Sequence, residues 1–403
     1  MRVGKIITAA CTMLLAGLML FGCGGEEQKS AETKKADTTP IQVGGLVDMS
    51  GPTSSVGVPY AQGLKAGVQY VNANGGIDGR MIEFNLQDTA YNVQQGLSLY
   101  KKMVNAGAVC IQGYGSAVTE ALVRNLAKDK VPDLSASYSA HLTDPKTAPY
   151  NFFVAADYST QARAAIKYFK DNWTEARAPK IAFIYPDHPY GLAPIKGAKA
   201  YAEELGFEIV GDANVSLKAI DATTELLPLK DLAPDFCWIG GTTPSTSVIL
   251  KSAKNIGMET TFFTNIWGSD ENLPKLAGED ANGAFSNQAA AVYGQDVPGM
   301  KAIMELTNNE PQMTHFTRGF VSVLVMTEGL KRAAAKGGIT GESLKDALET
   351  LRDFDPMGLA PAISYFPDDH RPNMAVFLYT IKDGKLTFVK EQILERRADW
   401  LGH

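Results

Sequence analysis

The sequence predicts an α/β protein made of two lobes, each a doubly wound parallel sheet with helices on both faces. Apolar strand-like runs alternate with amphipathic helix-like runs, and this alternation occurs in two successive series. The chain has 403 residues, which is long enough for two domains, and its 45% hydrophobic content provides a core for each.

The first series begins at Ile41. Its first helix is the clearest, because Tyr60, Leu64 and Val68 recur at the spacing of one helix face and Asn-Gly-Gly at residues 74–76 ends the pattern. The series predicts strands at residues 41–47, 81–86, 108–112 and 131–134, and helices at residues 59–74, 93–105 and 117–128.

A second series after Phe152 repeats the pattern and predicts a second lobe. It contains helices at residues 161–172, 193–205 and 245–256, a helix around Glu225, and strands at residues 180–185, 208–210, 236–239 and 261–264. Two long helices, 315–336 and 342–353, precede a strand pair, 374–381 and 386–389, that turns at Asp383-Gly384. Two similar lobes with a late return of the chain predict a hinged cleft.

The N-terminal residues are typical of a bacterial lipoprotein. Arg2 and Lys5 precede an apolar run at residues 6–22, which ends directly before Cys23 and resembles a lipobox. Phe21 is bulkier than the residue expected in that motif. The alternative is an uncleaved membrane anchor, although the run is shorter than the about 20 apolar residues that a spanning helix needs.

We therefore expect residues 1–22 to be a signal peptide, Cys23 to be lipidated, and the polar residues 23–40 to be a flexible spacer. Loss of Arg2 and Lys5 would take the formal net charge from −6 to −8. An acidic surface without a Lys/Arg-rich run repels phosphate backbones, and no later run is apolar enough to span a bilayer. We expect neither a nucleic-acid partner nor an integral-membrane body.

The sequence offers little that could perform chemistry. No nucleophile with its base, metal cluster or phosphate loop is visible, so we expect neither an enzyme nor a cofactor. His188 is the only histidine in the predicted cleft. Asp-Asp-His at residues 368–370 could be read as a metal cluster, but the pattern after Pro367 favours a solvated turn. Cys110 and Cys237 lie in apolar strand-like runs of different lobes and are expected to be buried, unbridged thiols.

A set of local motifs resembles one family. Asp-Met-Ser-Gly-Pro at residues 48–52, followed by Gly57, Gly63 and Asn-Ala-Asn-Gly-Gly-Ile-Asp-Gly-Arg at residues 72–80, is similar to the opening of the leucine/isoleucine/valine-type (type I) periplasmic solute-binding proteins of ABC transporters. The resemblance covers nearly all of the chain after Thr39. It continues through Asp88, residues 93–104, 113–119, 135–143 and 185–191, Gly240-Gly241, and Gly-Glu-Asp at residues 278–280 ahead of Gly283.

The resemblance implies two lobes joined by three chain crossings, with a small ligand in the cleft. It implies lobe I at residues 41–155 with 287–357, and lobe II at residues 156–286 with 358–403. The expected partners are a small molecule, an ABC transporter permease, and the membrane through the lipid anchor. We expect a monomer in the cell envelope, facing the periplasm or the exterior.

Candidate ligand-binding residues follow the predicted strands. Gly115-Ser116 lies between a strand and a helix, so backbone N–H groups and the Ser116 hydroxyl gather at the positive end of a helix dipole, which suits a carboxylate. The alternative role of Ser116 is only to cap the helix. By resemblance, Ala136, Ser137 and Tyr138 contact the same ligand. Tyr190 is similar to a family tyrosine that closes over the ligand from the opposite wall. Further candidates are Tyr114, Thr242 and Trp267.

One departure from the family concerns the ligand amine. Amino-acid-binding members place an acid after the strand that resembles residues 261–264, to pair with the ligand ammonium. Here residues 265–268 read Asn-Ile-Trp-Gly, so either Asp270 or Asp187 substitutes, or the ligand lacks an amine. Val56 and Thr242 stand where leucine-binding members carry tyrosines.

The combined interpretation is a solute-binding lipoprotein. The expected ligand is small, apolar and carboxylate-bearing: a branched-chain or related amino acid, or an amine-free aliphatic or aromatic acid. Hinge closure would capture it for delivery to a permease. The alternative is a sensor lipoprotein that presents its ligand to a signalling partner.

Overall fold

The structure is a computed structural model that describes residues 37–403. The predicted signal peptide, Cys23 and most of the spacer lie outside the described residues. Thr38–His403 form one compact unit. Among the described helices, none combines the length and the hydropathy that a bilayer crossing requires.

The first sheet has five parallel strands in the order β2-β1-β3-β4-β5. β3 and β4 are buried along their whole length, as expected for inner strands covered by helices on both faces, whereas the edge strand β2 alternates between buried and exposed positions. The strands are β1 Ile41–Val47, β2 Ile82–Asp88, β3 Cys110–Tyr114, β4 Asp133–Ala136 and β5 Asn151–Phe152.

The second sheet has seven strands in the order β12-β11-β10-β9-β8-β6-β7. Five are parallel, and the hairpin of β11 and β12 adds an antiparallel edge. Asp383 and Gly384 turn the hairpin with φ of +50° and +70°, which confirms the predicted strand pair and its turn. The strands are β6 Lys180–Tyr185, β7 Glu208–Asn214, β8 Phe236–Ile239, β9 Thr261–Thr264, β10 Phe285–Gln288, β11 Ala375–Lys382 and β12 Lys385–Ile393.

Helices lie between the strands, and the longest two pack against each other. A side chain at Gly63 would collide with the backbone carbonyl of Phe316, and one at Gly319 with that of Tyr60, so only glycine permits this close helix contact. The helices are α1 Ser54–Ala73, α2 Val93–Asn105, α3 Ser116–Asp129, α4 Tyr158–Asp171, α5 Pro189–Leu192, α6 Ile195–Glu204, α7 Thr223–Leu232, α8 Thr243–Asn255, α9 Leu273–Ala277, α10 Pro298–Leu306, α11 Thr314–Ala335 and α12 Gly341–Leu348.

Within the described residues, the chain passes three times between the elements of the two sheets. It leaves the first sheet after β5, returns after β10 to place α10 and α11 against α1, and goes back after α12 to form β11 and β12. The architecture is the predicted one: two α/β lobes with parallel sheets.

Some predictions about local structure need correction. Helix α12 ends at Leu348 rather than at residue 353, and the predicted helix at residues 193–205 is α6, Ile195–Glu204, which is preceded by a separate short helix, α5. The predicted solvated turn is present at Pro367 and Asp368, which are exposed, but Asp369 and His370 directly after it are buried. Asp369 pairs with Arg371 and Arg396, and His370 contacts Glu349. The burial of Cys110 in β3 and Cys237 in β8 as free thiols is confirmed.

Candidate functional site

The carboxyl ends of strands from both sheets meet around one cavity. Open α/β sheets bind ligands at this edge. The position of the cavity therefore suits ligand binding. The residues that line it are Thr53, Tyr91, Tyr114, Gly115, Ser116, Ala136, Tyr158, Tyr190, Thr242 and Trp267.

Ser116 is the first residue of α3 and lies in the cavity wall. Gly115, with φ of +93°, is the N-cap, so the interpretation of Ser116 as a cap is wrong. The Ser116 side chain is buried and its hydroxyl has no hydrogen-bond partner in the described structure. A buried hydroxyl at the positive end of a helix can bind a ligand oxygen without giving up an internal bond.

Tyr91 covers this helix start. It follows β2 in a loop where Ala90 and Tyr91 both have left-handed backbones, with φ of +47° and +56°. Its ring lies over Gly115, where a side chain would collide with it, and its hydroxyl lies at the backbone N–H of Ser116. Burial raises the pKa of Tyr91, so the phenol is neutral. Its ring also lies 5.3 Å from that of His188, on the opposite wall.

Tyr190 is fixed in the second wall. Its hydroxyl donates to the carbonyl of Gly241 at 2.6 Å and accepts from Asn265 Nδ2 at 2.7 Å. Burial holds its pKa well above the usual range. Because both interactions are internal, Tyr190 presents a rigid ring to the cavity and not a free hydroxyl.

Trp267 is packed on several sides. Its indole Nε1 donates to the Tyr158 hydroxyl at 2.9 Å, and its ring meets Tyr114 edge-on at 5.2 Å. Behind it, the Arg318 guanidinium lies 3.9 Å from the ring centroid, a cation–π contact. The aromatic wall of the cavity is therefore backed by a buried positive charge.

A buried polar cluster holds Arg318 behind this wall. Arg318 Nη2 donates to the Ile266 carbonyl at 3.0 Å and contacts His315 Nδ1, and His315 Nε2 lies 2.9 Å from Asp270. Burial raises the pKa of Asp270. Nε and Nη1 of Arg318 have no partner among the described residues. The cluster joins α11 to the segment that follows β9.

The structure brings six of the predicted residues together in the cavity wall: Tyr114, Ser116, Ala136, Tyr190, Thr242 and Trp267. Ser137 and Tyr138 lie outside the lining. The Tyr138 ring is stacked against Trp267 at 6.1 Å, and the Ser137 hydroxyl is buried without a partner. Ligand contact by any of these eight residues stays a prediction.

Thr53, Tyr91, Tyr158 and Arg318 were missed by the sequence analysis. Tyr91 and Thr53 follow predicted strands at the ligand-binding edge, so their position was a usable signal. Tyr158 opens a helix that was predicted to begin at residue 161. Arg318 was visible as a cation directly before the mostly apolar run at residues 319–326, because such a residue needs a specific partner when it is buried.

Neither acid proposed to receive an ammonium lines the cavity. Asp270 accepts from Thr243 Oγ1 at 2.6 Å and from the Asn272 backbone N–H at 2.7 Å, in addition to its contact with His315. Asp187 lies in a separate surface groove beside His188. Of the two, Asp270 is the nearer to the site, and its oxygens are already engaged.

Two α/β lobes around a cavity lined largely by aromatic rings are the arrangement of a ligand-binding protein. The family model described as Periplasmic binding protein matches residues 40–385. The chain belongs to that family, as a leucine/isoleucine/valine-type (type I) solute-binding protein of ABC transporters. Membership implies a solute-binding role and an extracytoplasmic location.

Individual relatives agree with this assignment. The Leucine-, isoleucine-, valine-, threonine-, and alanine-binding protein of Pseudomonas aeruginosa is 22% identical over 327 residues, covering 80% of this chain and 85% of that protein. An ABC transporter substrate-binding protein of Aeropyrum pernix has 31% identity and a TM-score of 0.84, with 91% and 98% of the two chains covered. A branched-chain amino acid ABC transporter protein of Thermus thermophilus with bound valine has 22% identity and a TM-score of 0.82, with 89% and 97% covered.

Proposed function

We propose that this protein captures a small, apolar, carboxylate-bearing ligand and delivers it to a membrane permease. The observation that carries the proposal is the unpartnered Ser116 hydroxyl at the start of α3, inside a cavity otherwise formed mostly by aromatic rings. The helix start supplies a donor set for the carboxylate, and the rings supply apolar contact for the rest of the ligand.

Capture proceeds by hinge closure. The cavity wall contains Tyr114 and Ser116 from the first sheet, and Tyr190 and Trp267 from the second. Only the closed arrangement contacts a ligand from both sides, so the ligand stabilises that arrangement by its extra contacts. The three chain crossings serve as the hinge, with lobe boundaries at residues 41–155 with 287–357 and 156–286 with 358–403.

The cellular setting forms part of the same proposal. A lipid on Cys23 tethers a monomer to the membrane, the residues up to 40 act as a spacer, and the closed lobes dock on an ABC transporter permease. The ligand is a branched-chain or related amino acid, or an amine-free aliphatic or aromatic acid.

The experiment is a thermal-shift comparison of the purified protein with leucine, its keto acid 4-methyl-2-oxopentanoate, and 3-phenylpropanoate. Each ligand is paired with its carboxamide, which has nearly the same shape and no negative charge. A bound ligand at 100 times its Kd stabilises by about 2.7 kcal/mol. We expect at least one acid to raise Tm and its amide to do so much less. Equal shifts for acid and amide would contradict the carboxylate site.

A further inference from the structure

We propose that the cavity selects carboxylic acids that lack an α-ammonium group, with Arg318 behind Trp267 acting as a positioning residue for that preference. This inference rests on the proposed function and narrows its ligand class.

The cavity wall contains no ionised side chain. Its ten residues are four tyrosines, one tryptophan, two threonines, one serine, one glycine and one alanine. A buried ammonium without a carboxylate is costly, because it leaves its hydration shell and gains no opposite charge. An amino acid bound here would have only neutral oxygens around its ammonium.

Two carboxylates lie just behind the wall, and both are engaged. Asp48 accepts from the backbone N–H of Gly51 at 2.6 Å and from the backbone N–H and hydroxyl of Thr53 at 2.8 and 2.7 Å. Asp270 has three partners of its own, among them Thr243 and His315. Three of the about four acceptor sites of each carboxylate are therefore already used by the protein.

A third acid, Glu271, lies beside Asp270. It accepts from the backbone N–H of Thr314, and burial raises its pKa to about 7. Its pKa rise favours the neutral form, so Glu271 is a poor counter-ion for a cation.

Arg318 adds a positive charge at the back of the same wall. Burial lowers the pKa of its guanidinium, but arginine is not deprotonated in proteins, so the group stays charged. No carboxylate lies within ion-pair distance of it among the described residues, because His315 separates it from Asp270. The charge lies 3.9 Å from the Trp267 ring centre, so it attracts a ligand carboxylate and repels an ammonium.

The first test compares matched ligands by isothermal titration calorimetry on the purified protein. The pairs are leucine with 4-methyl-2-oxopentanoate, and phenylalanine with 3-phenylpropanoate. We expect the amine-free acid of at least one pair to bind 100-fold more tightly than its amino acid. Equal or tighter binding of both amino acids would overturn the inference and leave the proposed function intact. Failure of all four ligands to bind would count against both.

The second test supplies the missing negative charge. Thr242→Asp places a carboxylate in the cavity wall, and aspartate is as good an N-cap for α8 as threonine. Thr242→Asn is the matched control, with nearly the same shape and no charge. We expect Thr242→Asp to shift the Kd ratio towards leucine by at least 10-fold relative to Thr242→Asn. If the two variants show the same ratio, charge does not set the preference.

The third test removes the positive charge. Arg318→Gln should reduce the preference for the amine-free acid at least 5-fold, measured as a ratio of Kd values, which a uniform loss of stability would not change. The control is Arg163→Gln, which removes another buried guanidinium 4.5 Å from a tryptophan ring, that of Trp400, away from the cavity. An unchanged ratio in a folded Arg318→Gln protein would exclude a role for Arg318.

Discussion

The Trp267 indole donates its Nε1–H to the Tyr158 hydroxyl at 2.9 Å, and this bond joins the segment after β9 to the first turn of α4. It fixes the indole between the cavity and Arg318, with its edge towards Tyr114. Tyr158 therefore controls the orientation of the largest ring in the cavity wall.

Tyr158→Phe should weaken both stability and ligand binding. The change leaves a buried indole N–H without an acceptor, which costs about 1–3 kcal/mol in the free energy of unfolding. Urea unfolding and calorimetry would measure the two losses. Tyr185→Phe is the control, because the Tyr185 hydroxyl bonds Asp212 at a partly exposed site outside the cavity. A Tyr158→Phe protein with unchanged stability and Kd would show that the bond has no structural role.

Ser116→Ala should lower affinity and leave stability almost unchanged. The hydroxyl has no internal partner, so its removal costs the folded protein little, whereas a hydrogen bond to a charged ligand is worth about 1.5–3 kcal/mol, or roughly 10- to 150-fold in Kd. Ser252→Ala should behave in the opposite way, because the Ser252 hydroxyl accepts from the Ala222 backbone N–H far from the cavity. If Ser116→Ala binds the ligand as tightly as the wild type, the ligand carboxylate does not bind at the start of α3.

The sequence was a reliable guide wherever burial produces a regular pattern. The strands β1, β6, β8 and β9 have the predicted bounds, since each is a short apolar run between turn signals. The strand β10, Phe285–Gln288, was missed, because Ser286, Asn287 and Gln288 are buried polar residues. Their partners lie far away in sequence, as in the bond from Asn287 Nδ2 to the Gln161 carbonyl.

The site was predictable only in part, for a related reason. Ser116 and Trp267 follow predicted strands, so topology alone places them at the ligand-binding edge. The proposed role of Arg318 depends on a contact between α11 and the segment after β9, two elements whose packing no local pattern indicates.

Gly115→Ala should strain the backbone and disturb the cavity. The residue has φ of +93°, and an added side chain would lie 2.6 Å from the Tyr91 ring. Backbone strain of this kind costs about 1–3 kcal/mol. Gly107→Ala is the matched control, with φ of +87° and open space around it. We expect similar losses of backbone stability in both variants, but a weaker Kd only in Gly115→Ala. Equal Kd values in the two proteins would show that displacement of the Tyr91 ring does not affect ligand binding.

Asp133 should make stability fall as pH rises. Burial raises its pKa to about 7, the nearby Gly113 backbone N–H opposes this only partly, and neither carboxylate oxygen makes a well-formed hydrogen bond. The folded state therefore holds a proton that the unfolded chain releases near pH 4. The stabilisation is complete below pH 4 and is lost as pH rises to about 7, up to about 4 kcal/mol.

Asp133→Asn removes this titration. The free energies of unfolding of both proteins would be measured in urea at pH 4, 5.5, 7 and 8. We expect the stability of the variant relative to the wild type to increase up to about pH 7 and to stay constant above it. Comparison between the two proteins cancels the contributions of other raised carboxyl groups, such as Glu271. A difference that does not change with pH would show that Asp133 is ionised in the folded state.

The contact between Trp267 and Arg318 also has an optical consequence. Indole emission depends on the local electric field, and here a fixed positive charge lies 3.9 Å from the ring centre while the same ring lines the cavity. The other three tryptophans, Trp173, Trp238 and Trp400, lie outside the cavity lining. A ligand carboxylate arriving near Trp267 would change that field and shift its fluorescence. Trp267 would then serve as an intrinsic, label-free reporter of ligand binding.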